Sequence, residues 1–130
     1  MVTCLISSDP VEPPPAHQDP EHGAVLTFLG VVRDVEDGRP LLGLRYTCHQ
    51  ALAEKSLRQL SAAALDRFGG HDLYVHHRVG FVPSGETSLL LQVATRHSTE
   101  AFALAQHYLA AIKTEIPIWK EPVFSGASQS

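Results

Sequence analysis

Two long segments with helical periodicity, set among short β-type runs, constrain the fold of this chain more than any other sequence feature. Residues 50–68 carry apolar side chains at helical spacing, and the pair Gly69-Gly70 that follows favours a helix end. A second helix is expected to begin near Ser98, whose hydroxyl can cap it, and to end at Ile116 because Pro117 follows. The apolar stripe of this second helix is predicted to comprise Ala101, Phe102, Ala105, Tyr108, Leu109 and Ile112.

Short apolar or alternating runs around these segments predict a sheet. The expected strands are residues 2–6, 24–32, 41–48, 73–79 and 87–95, with turns at residues 34–40 and 83–85. The second of these turns joins the last two strands as a hairpin. Alternation along residues 73–79 predicts that His77 lies in the core and His76 in solvent. This order of elements predicts an α+β domain in which two main helices cover a mainly antiparallel sheet.

The length of the chain suits a single domain. It has 130 residues, of which 44% are hydrophobic, so residues 1–130 can form one core. Five prolines among polar neighbours predict an extended loop over residues 9–23. The small and polar side chains near the C-terminus predict a disordered tail over residues 124–130.

Charge and composition argue against several classes of function. The formal net charge of -4 disfavours a broad electrostatic contact with nucleic acid. No run approaches the roughly 18 apolar residues of a membrane span, and the N-terminus is unlike a signal peptide. Cys4 and Cys48 are too few for a disulfide framework, so both are expected to be reduced thiols, and a cytoplasmic location is expected. The histidines show no metal-ligand spacing, and the neighbours His76 and His77 would face opposite ways, so no metal or other cofactor is expected.

The most informative stretch for chemistry is residues 112–121, which contains two of the three lysines and the only tryptophan. Lys113 is expected at the end of the second helix and Lys120 on a segment that folds back after the proline, so both could converge on one anion. Trp119 is expected in the core or in an interface. A plainer interpretation stays open, in which Lys113 complements the helix C-terminus and Lys120 is solvated.

Two further groups of residues could bind an anion. Arg96, His97 and Ser98 lie where a strand passes into a helix, whose free backbone N–H groups favour negative charge. An ordinary capped helix with a solvent-facing arginine would have the same sequence. Arg33 follows the apolar run of residues 24–32 and so lies at the end of a predicted strand. Binding residues often occupy such strand ends, but an arginine there can equally be an ordinary solvent-exposed residue.

Taken in order, these motifs resemble one family, the large, catalytic subunit of molybdopterin synthase. The resemblance is carried by residues 23–33, 53–57, 77–80 and 83–86, by His97 with Ala101-Phe102, and by residues 109–121. The pieces keep the order and spacing of the family. The resemblance implies an α/β-hammerhead fold and a sulfurtransferase of molybdenum cofactor biosynthesis.

The resemblance also implies partners, a substrate and residue roles. The family forms a homodimer, and each subunit binds a small ubiquitin-like sulfur-carrier subunit, which gives a heterotetramer. The C-terminal Gly-Gly thiocarboxylate of the carrier would enter a pocket and pass sulfur to cyclic pyranopterin monophosphate (precursor Z), a pterin phosphate. By position, Lys113 and Lys120 match the catalytic lysines. Arg33 and His97 match substrate-binding positions, with His97 reaching across the dimer.

The sequence departs from the family pattern beside His97. The family has His-Arg at the helix start, whereas here Ser98 follows His97 and the arginine precedes it as Arg96. Residues on either side of a strand end point in different directions, so Arg96 and Ser98 are both kept as candidate substrate-binding residues. Two alternatives stay open, a divergent non-catalytic paralogue and an anion- or small-molecule-binding module.

Overall fold

Two helices and eight strands form within residues 1–126, the part of the chain that this computed structural model describes. In chain order they are β1 (Val2–Ser7), β2 (Ala24–Val31), β3 (Val35–Glu36), β4 (Arg39–Cys48), α1 (Gln50–Phe68), β5 (Asp72–Arg78), β6 (Gly80–Pro83), β7 (Thr87–Thr95), α2 (Ser98–Glu115) and β8 (Ile118–Phe124). Residues 9–23 contain neither helix nor strand. Phe124, the first residue of the predicted disordered tail, still belongs to β8, and residues 127–130 of that tail lie outside the described residues.

The first sheet carries the main core. Its strand order is β1-β5-β7-β2, with β1 parallel to β5 and the other two pairs antiparallel. Both helices pack against this sheet. The residues buried between the helices and the sheet include Leu57, Ala64, Val75, Leu91, Val93, Leu104 and Tyr108. Each fully buried leucine of this kind stabilises the fold by about 1.5–3 kcal/mol. Neither described helix combines the length and the apolar character that crossing a membrane requires.

The second sheet is organised around β4. Strands β6 and β8 both pair antiparallel with β4, and β3 forms a tight hairpin with its start. A separate small core joins these strands and consists of Val32, Leu41, Leu44 and Val82. At Gly43 a Cβ atom would lie 2.3 Å from the carbonyl oxygen of Val82, so this close approach of β6 to β4 requires glycine.

The α+β prediction with two main helices and mainly antiparallel pairing is confirmed. Helix α1 spans the predicted residues, and α2 begins at Ser98 as expected. Strands β6 and β8 are not among the predicted elements. The extended conformation of β8 depends on pairing with β4, a partner that is distant in sequence and therefore leaves no local signal.

Two predictions of side-chain burial are wrong. Phe102 is 62% exposed, because it lies about 100° around α2 from Ala101, which faces the core, and Leu104 is buried instead. His76 is buried rather than solvated, since β5 lies between β1 and β7 and Ser7 lies within 3.0 Å of its Nε2. Trp119 is 60% exposed and belongs to neither core, so of its two expected positions only the interface stays a prediction.

Candidate active site

A cavity of about 580 Å³ opens where both sheets meet the C-terminal end of α2. Residues from β2 and the segment after it, from β4, β7 and β8, and from the last turns of α2 line it. Its lining comprises Phe28, Gly30, Val31, Val32, Arg33, Val35, Glu36, Leu41, Leu44, Tyr46, His77, Ser88, Leu89, Ile112, Lys113, Ile118, Trp119 and Lys120. The cavity is therefore a product of the tertiary fold and not of one local motif.

Both lysines of the C-terminal segment line this cavity. Lys113 lies in the last turn of α2, whose C-cap is Ile116 in an extended conformation. The chain then turns back as β8, where Lys120 pairs with Tyr46 of β4. Both lysine side chains are exposed, and within residues 1–126 neither ammonium group forms an ion pair. Their charges are thus free to meet an anion in the cavity.

Arg33 reaches the same cavity from the end of β2. The backbone there is held by two hydrogen bonds: Val32 N–H donates to the carbonyl of Glu86 at 3.0 Å, and Gly85 N–H donates to the carbonyl of Val32 at 2.7 Å. These bonds tie the strand end to the β6–β7 turn and fix where Arg33 leaves the sheet. The lining therefore holds three permanent cations, against the single carboxylate of Glu36.

The inner wall of the cavity contains a hydrogen-bonded pair, Tyr46 and Ser88, that no sequence motif identified as part of a site. Tyr46 Oη donates to Ser88 Oγ at 3.2 Å, and Ser88 Oγ donates to the carbonyl of Gly30 at 3.4 Å. The ring of His77 meets Tyr46 edge-on, with centroids 5.0 Å apart. Tyr46 and Ser88 lie on separate strands at ordinary strand positions, so no local pattern distinguishes them.

His77 is buried, as predicted, and is neutral at pH 7. Its Nδ1 lies 2.8 Å from the carbonyl oxygen of Arg78, which can only accept, so Nδ1 carries the proton and Nε2 keeps its lone pair. Burial lowers the pKa of His77, and His76 nearby acts in the same direction, while the bond to Arg78 opposes them. His77 thus supplies the wall with an uncharged ring beside the cationic lining.

Arg96, His97 and Ser98 lie at the other end of α2 and do not line the cavity. The helix separates Ser98 from Lys113 by about 22 Å at 1.5 Å per residue. All three side chains are exposed. The expected cap is wrong: His97 is the N-cap residue and makes no side-chain cap bond, because the extended backbone extends to His97 and Ser98 is already helical.

The sequence of this chain is similar to that of one known protein family. The family model described as MoaE protein matches residues 6–115, a range that includes Lys113 but not Lys120. The molybdopterin synthase catalytic subunit of Emericella nidulans is 41% identical over 105 residues, which cover 81% of this chain and 54% of that protein. The chain thus spans about half the length of this relative. The subunit of the same name from Vibrio cholerae serotype O1 is 34% identical over 112 residues, covering 86% of this chain and 75% of that protein.

Solved structures share the fold. Molybdopterin synthase from Staphylococcus aureus superposes with a TM-score of 0.88 at 25% identity, covering 94% of this chain and 91% of that one. A chain from the complex of subunits 1 and 2 of molybdopterin-converting factor from Helicobacter pylori 26695 superposes with a TM-score of 0.69. At 21% identity, over 96% of this chain and 90% of that one, the second likeness concerns the fold alone.

Proposed function

The chain belongs to the MoaE protein family, and from that membership we propose that it is the catalytic subunit of a molybdopterin synthase. The proposed reaction is a sulfur transfer in molybdenum cofactor biosynthesis. Sulfur passes from the thiocarboxylated C-terminus of a small carrier subunit to cyclic pyranopterin monophosphate. The observation that supports this proposal most is the cavity in which Arg33, Lys113 and Lys120 meet.

The cavity suits both reactants by charge and by size. The pterin carries a phosphate and the carrier ends in an anionic thiocarboxylate, so a site that holds both needs fixed cations. A volume of about 580 Å³ falls within the range of about 300–1,000 Å³ that small-molecule sites occupy. A cavity with three cations and one carboxylate has a net positive charge and therefore favours such ligands.

We assign different roles to the cations. Lys113, on the rigid end of α2, orients the thiocarboxylate and stabilises the charge that develops during transfer. Lys120, on β8, acts at the pterin oxygen that sulfur replaces. Arg33, whose guanidinium can bind a phosphate in bidentate fashion, holds the pterin phosphate at the rim.

The mouth of the cavity supports docking of a carrier tail. Phe28, Val31, Val35 and Trp119 all line it, and all have exposed side chains. Exposed apolar groups beside a cavity are characteristic of binding surfaces. A Gly-Gly tail has no side chains and can pass between them, while the body of the small subunit covers the apolar rim.

Neither cysteine takes part in the proposed reaction, because the sulfur arrives on the carrier. Cys4 and Cys48 do not line the cavity. Burial raises the pKa of both thiols, and Glu54 adds to the effect at Cys48, so both are poor nucleophiles at neutral pH. We place the reaction in the cytoplasm, where such thiols remain reduced.

A homodimer accounts for the residues that lie far from the cavity. His97 is exposed and lies about 24 Å from Lys113 along the axis of α2, at 1.5 Å per residue, so it can serve a cavity only in a second copy of the chain. We assign Arg96 and Ser98 to the same contact with the substrate. Strand β2 supports self-association, because it is an edge strand with exposed Val25 and Leu29. One carrier on each subunit then gives a heterotetramer.

The direct test is reconstitution. The purified chain is mixed with thiocarboxylated carrier and cyclic pyranopterin monophosphate, and molybdopterin is measured as its fluorescent oxidised derivative. Lys113→Ala is expected to lower turnover about 10²–10³-fold, the usual effect of removing one charge-stabilising group, while carrier binding persists. Lys120→Ala should lower turnover without loss of folding. Lys55→Ala, on the exposed face of α1 away from the cavity, is the matched control and should keep parental turnover.

Other outcomes separate the alternatives. Stable carrier binding without product would indicate a non-catalytic paralogue, with the Ser98 departure as the first position to restore. Pterin phosphate binding that neither needs a carrier nor leads to product would indicate an anion-binding module. Parental turnover in Lys113→Ala would contradict the assignment of that lysine.

A further inference from the structure

A second cluster of chemically active side chains lies at the start of β5, away from the cavity. The rings of His17 and His22, from the proline-rich loop, approach each other with Nε2 of His17 3.1 Å from Nδ1 of His22. Asp72, the first residue of β5, places Oδ2 3.6 Å from Nδ1 of His22. Asp19 places its own Oδ2 3.7 Å from the same nitrogen. Nδ1 of His22 is therefore the centre of a group of four potential metal ligands.

The separations around His22 are close to those of a tetrahedral zinc site. With Zn–N and Zn–O bonds of about 2.0–2.1 Å, neighbouring ligand atoms lie about 3.3–3.4 Å apart. The three distances from His22 Nδ1 are 3.1, 3.6 and 3.7 Å, on both sides of that value. Ligand atoms of His17, His22 and Asp72 all lie within 4.8 Å of one another. Two imidazoles and two carboxylates are also a ligand set that zinc accepts.

The outer contacts orient both carboxylates toward the histidines. Oδ1 of Asp19 accepts a hydrogen bond from the backbone N–H of Glu21 at 2.9 Å, which leaves Oδ2 facing His22. Oδ1 of Asp72 accepts one from the amino group of Met1 at 2.7 Å, which likewise leaves Oδ2 facing the rings. Such contacts of the non-ligating oxygen are typical of metal sites, where they fix the ligand before the ion arrives.

From this geometry we propose that His17, Asp19, His22 and Asp72 form a structural zinc site that fastens the proline-rich loop to β5. Nε2 of His17 and Nδ1 of His22 now share a hydrogen bond, in which one nitrogen donates and the other accepts. A change of tautomer in the donor ring and a small rotation of both rings would turn the two lone pairs toward the ion. A neighbouring cavity of about 430 Å³, lined by His17, Asp19 and Asp72 among others, gives them room to turn. Asp19 lies 3.7 Å from His22 and is not within 4.8 Å of both other ligands, so its side chain would turn toward them to supply the fourth ligand. The site would then be closed, which is the mark of a structural rather than a catalytic zinc.

The sequence alone predicted no metal site, and the reason is topological. His17, Asp19 and His22 lie within one loop, but their spacing does not match a zinc signature. The fourth ligand, Asp72, is far away in sequence. It reaches the loop only because β5 is an inner strand of the first sheet and begins beside the loop.

The test uses the untagged full chain, stripped of metal with a chelator. Zinc uptake is measured by competition with a chromophoric chelator and by elemental analysis, and cobalt is added as a spectroscopic probe of geometry. We expect one zinc per chain and the intense visible absorption of tetrahedral cobalt. Zinc should also slow proteolytic cleavage within residues 9–23.

Variants decide whether the site is the one proposed. His22→Ala should weaken zinc binding roughly 100-fold or more, since even outer-shell changes weaken metal sites about 10–100-fold. Asp72→Asn keeps the shape of the side chain and should weaken binding as well. His49→Asn, at the N-cap of α1, removes a histidine elsewhere and should leave zinc affinity unchanged. No zinc uptake by the parent chain, or equal uptake by folded His22→Ala, would overturn the proposal.

Discussion

At the residue scale, the histidines show how burial decides chemistry. His77 has its Nδ1 bonded to a carbonyl and its ring packed on Tyr46, so it is held uncharged in the wall of the cationic cavity. A protonated ring there would add a fourth positive charge and lose the lone pair on Nε2. A buried histidine of this kind links the stability of the protein to pH.

Stability should fall as the solution becomes acidic below about pH 6.5. The pKa of His77 is lowered in the folded chain, chiefly by burial. The pKa of His76 is also lowered by burial; Asp9 opposes this shift and Arg78 adds to it. The unfolded chain therefore binds protons first, and the free energy of unfolding is lost as pH drops from about 6.5 toward the folded pKa, with a slope of up to about 1.4 kcal/mol per pH unit for each histidine.

Urea unfolding between pH 8 and about pH 5 measures this slope, and the variant His77→Asn should reduce it. His97→Asn, a change of an exposed histidine whose side chain makes no hydrogen bond within residues 1–126, is the comparison variant. A slope that His77→Asn leaves unchanged would contradict the assignment.

At the element scale, one buried hydrogen bond joins α2 to the turn before β5. His71 Nδ1 lies 2.8 Å from the carbonyl oxygen of Gly69 and must donate to it, so Nε2 accepts from the hydroxyl of Tyr108 at 2.6 Å. Tyr108 is fully buried, and burial raises the pKa of its hydroxyl, with Cys4 adding to the effect. This bond fixes the position of α2 on the sheet and hence of Lys113 at its far end.

Tyr108→Phe should destabilise the fold by about 1–3 kcal/mol, because it leaves the buried Nε2 of His71 without a donor. Chemical unfolding of both proteins measures the difference in free energy. Tyr74→Phe is the matched control, since the hydroxyl of Tyr74 makes no hydrogen bond within residues 1–126, and it should change stability little. Equal stability of parent and Tyr108→Phe would show that His71 finds another partner.

At the scale of the whole molecule, the proposed active site needs two copies of the chain. Lys113 and Lys120 line one cavity, whereas His97 does not line it and would, by this proposal, serve the cavity of a partner. Inactive variants should then complement each other when subunits exchange. Mixed dimers of Lys113→Ala and His97→Ala contain one intact site, so random mixing should restore about a quarter of parental sites.

The reconstitution assay on refolded mixtures measures this recovery. A mixture of Lys113→Ala with Lys120→Ala is the control and should stay inactive, because both changes affect the cavity of the same chain. Recovery in the control, or none with His97→Ala, would contradict a site shared between copies.

Much of the fold could be predicted from local sequence. Helix α1 and the start of α2 follow from apolar spacing and from the glycine pair, and β7 follows from its apolar run, because these signals act within a few residues. The candidate cations could also be named from sequence, since Arg33 and Lys113 lie at the ends of apolar elements and Lys120 lies on the segment that must fold back after Pro117.

The tertiary structure alone decided the rest. Strand β8, the burial of His76 and the exposure of Phe102 depend on which elements pack together. The wall of Tyr46 and Ser88, and the meeting of Asp72 with the loop histidines, join residues that are distant along the chain. Local propensity carries no information about such pairs, because they become neighbours only when strand pairing and helix packing have closed the loops between them. The sequence by itself therefore determined both helices, most strands and the candidate cations, whereas strand pairing and helix packing determined β8 and the two sites.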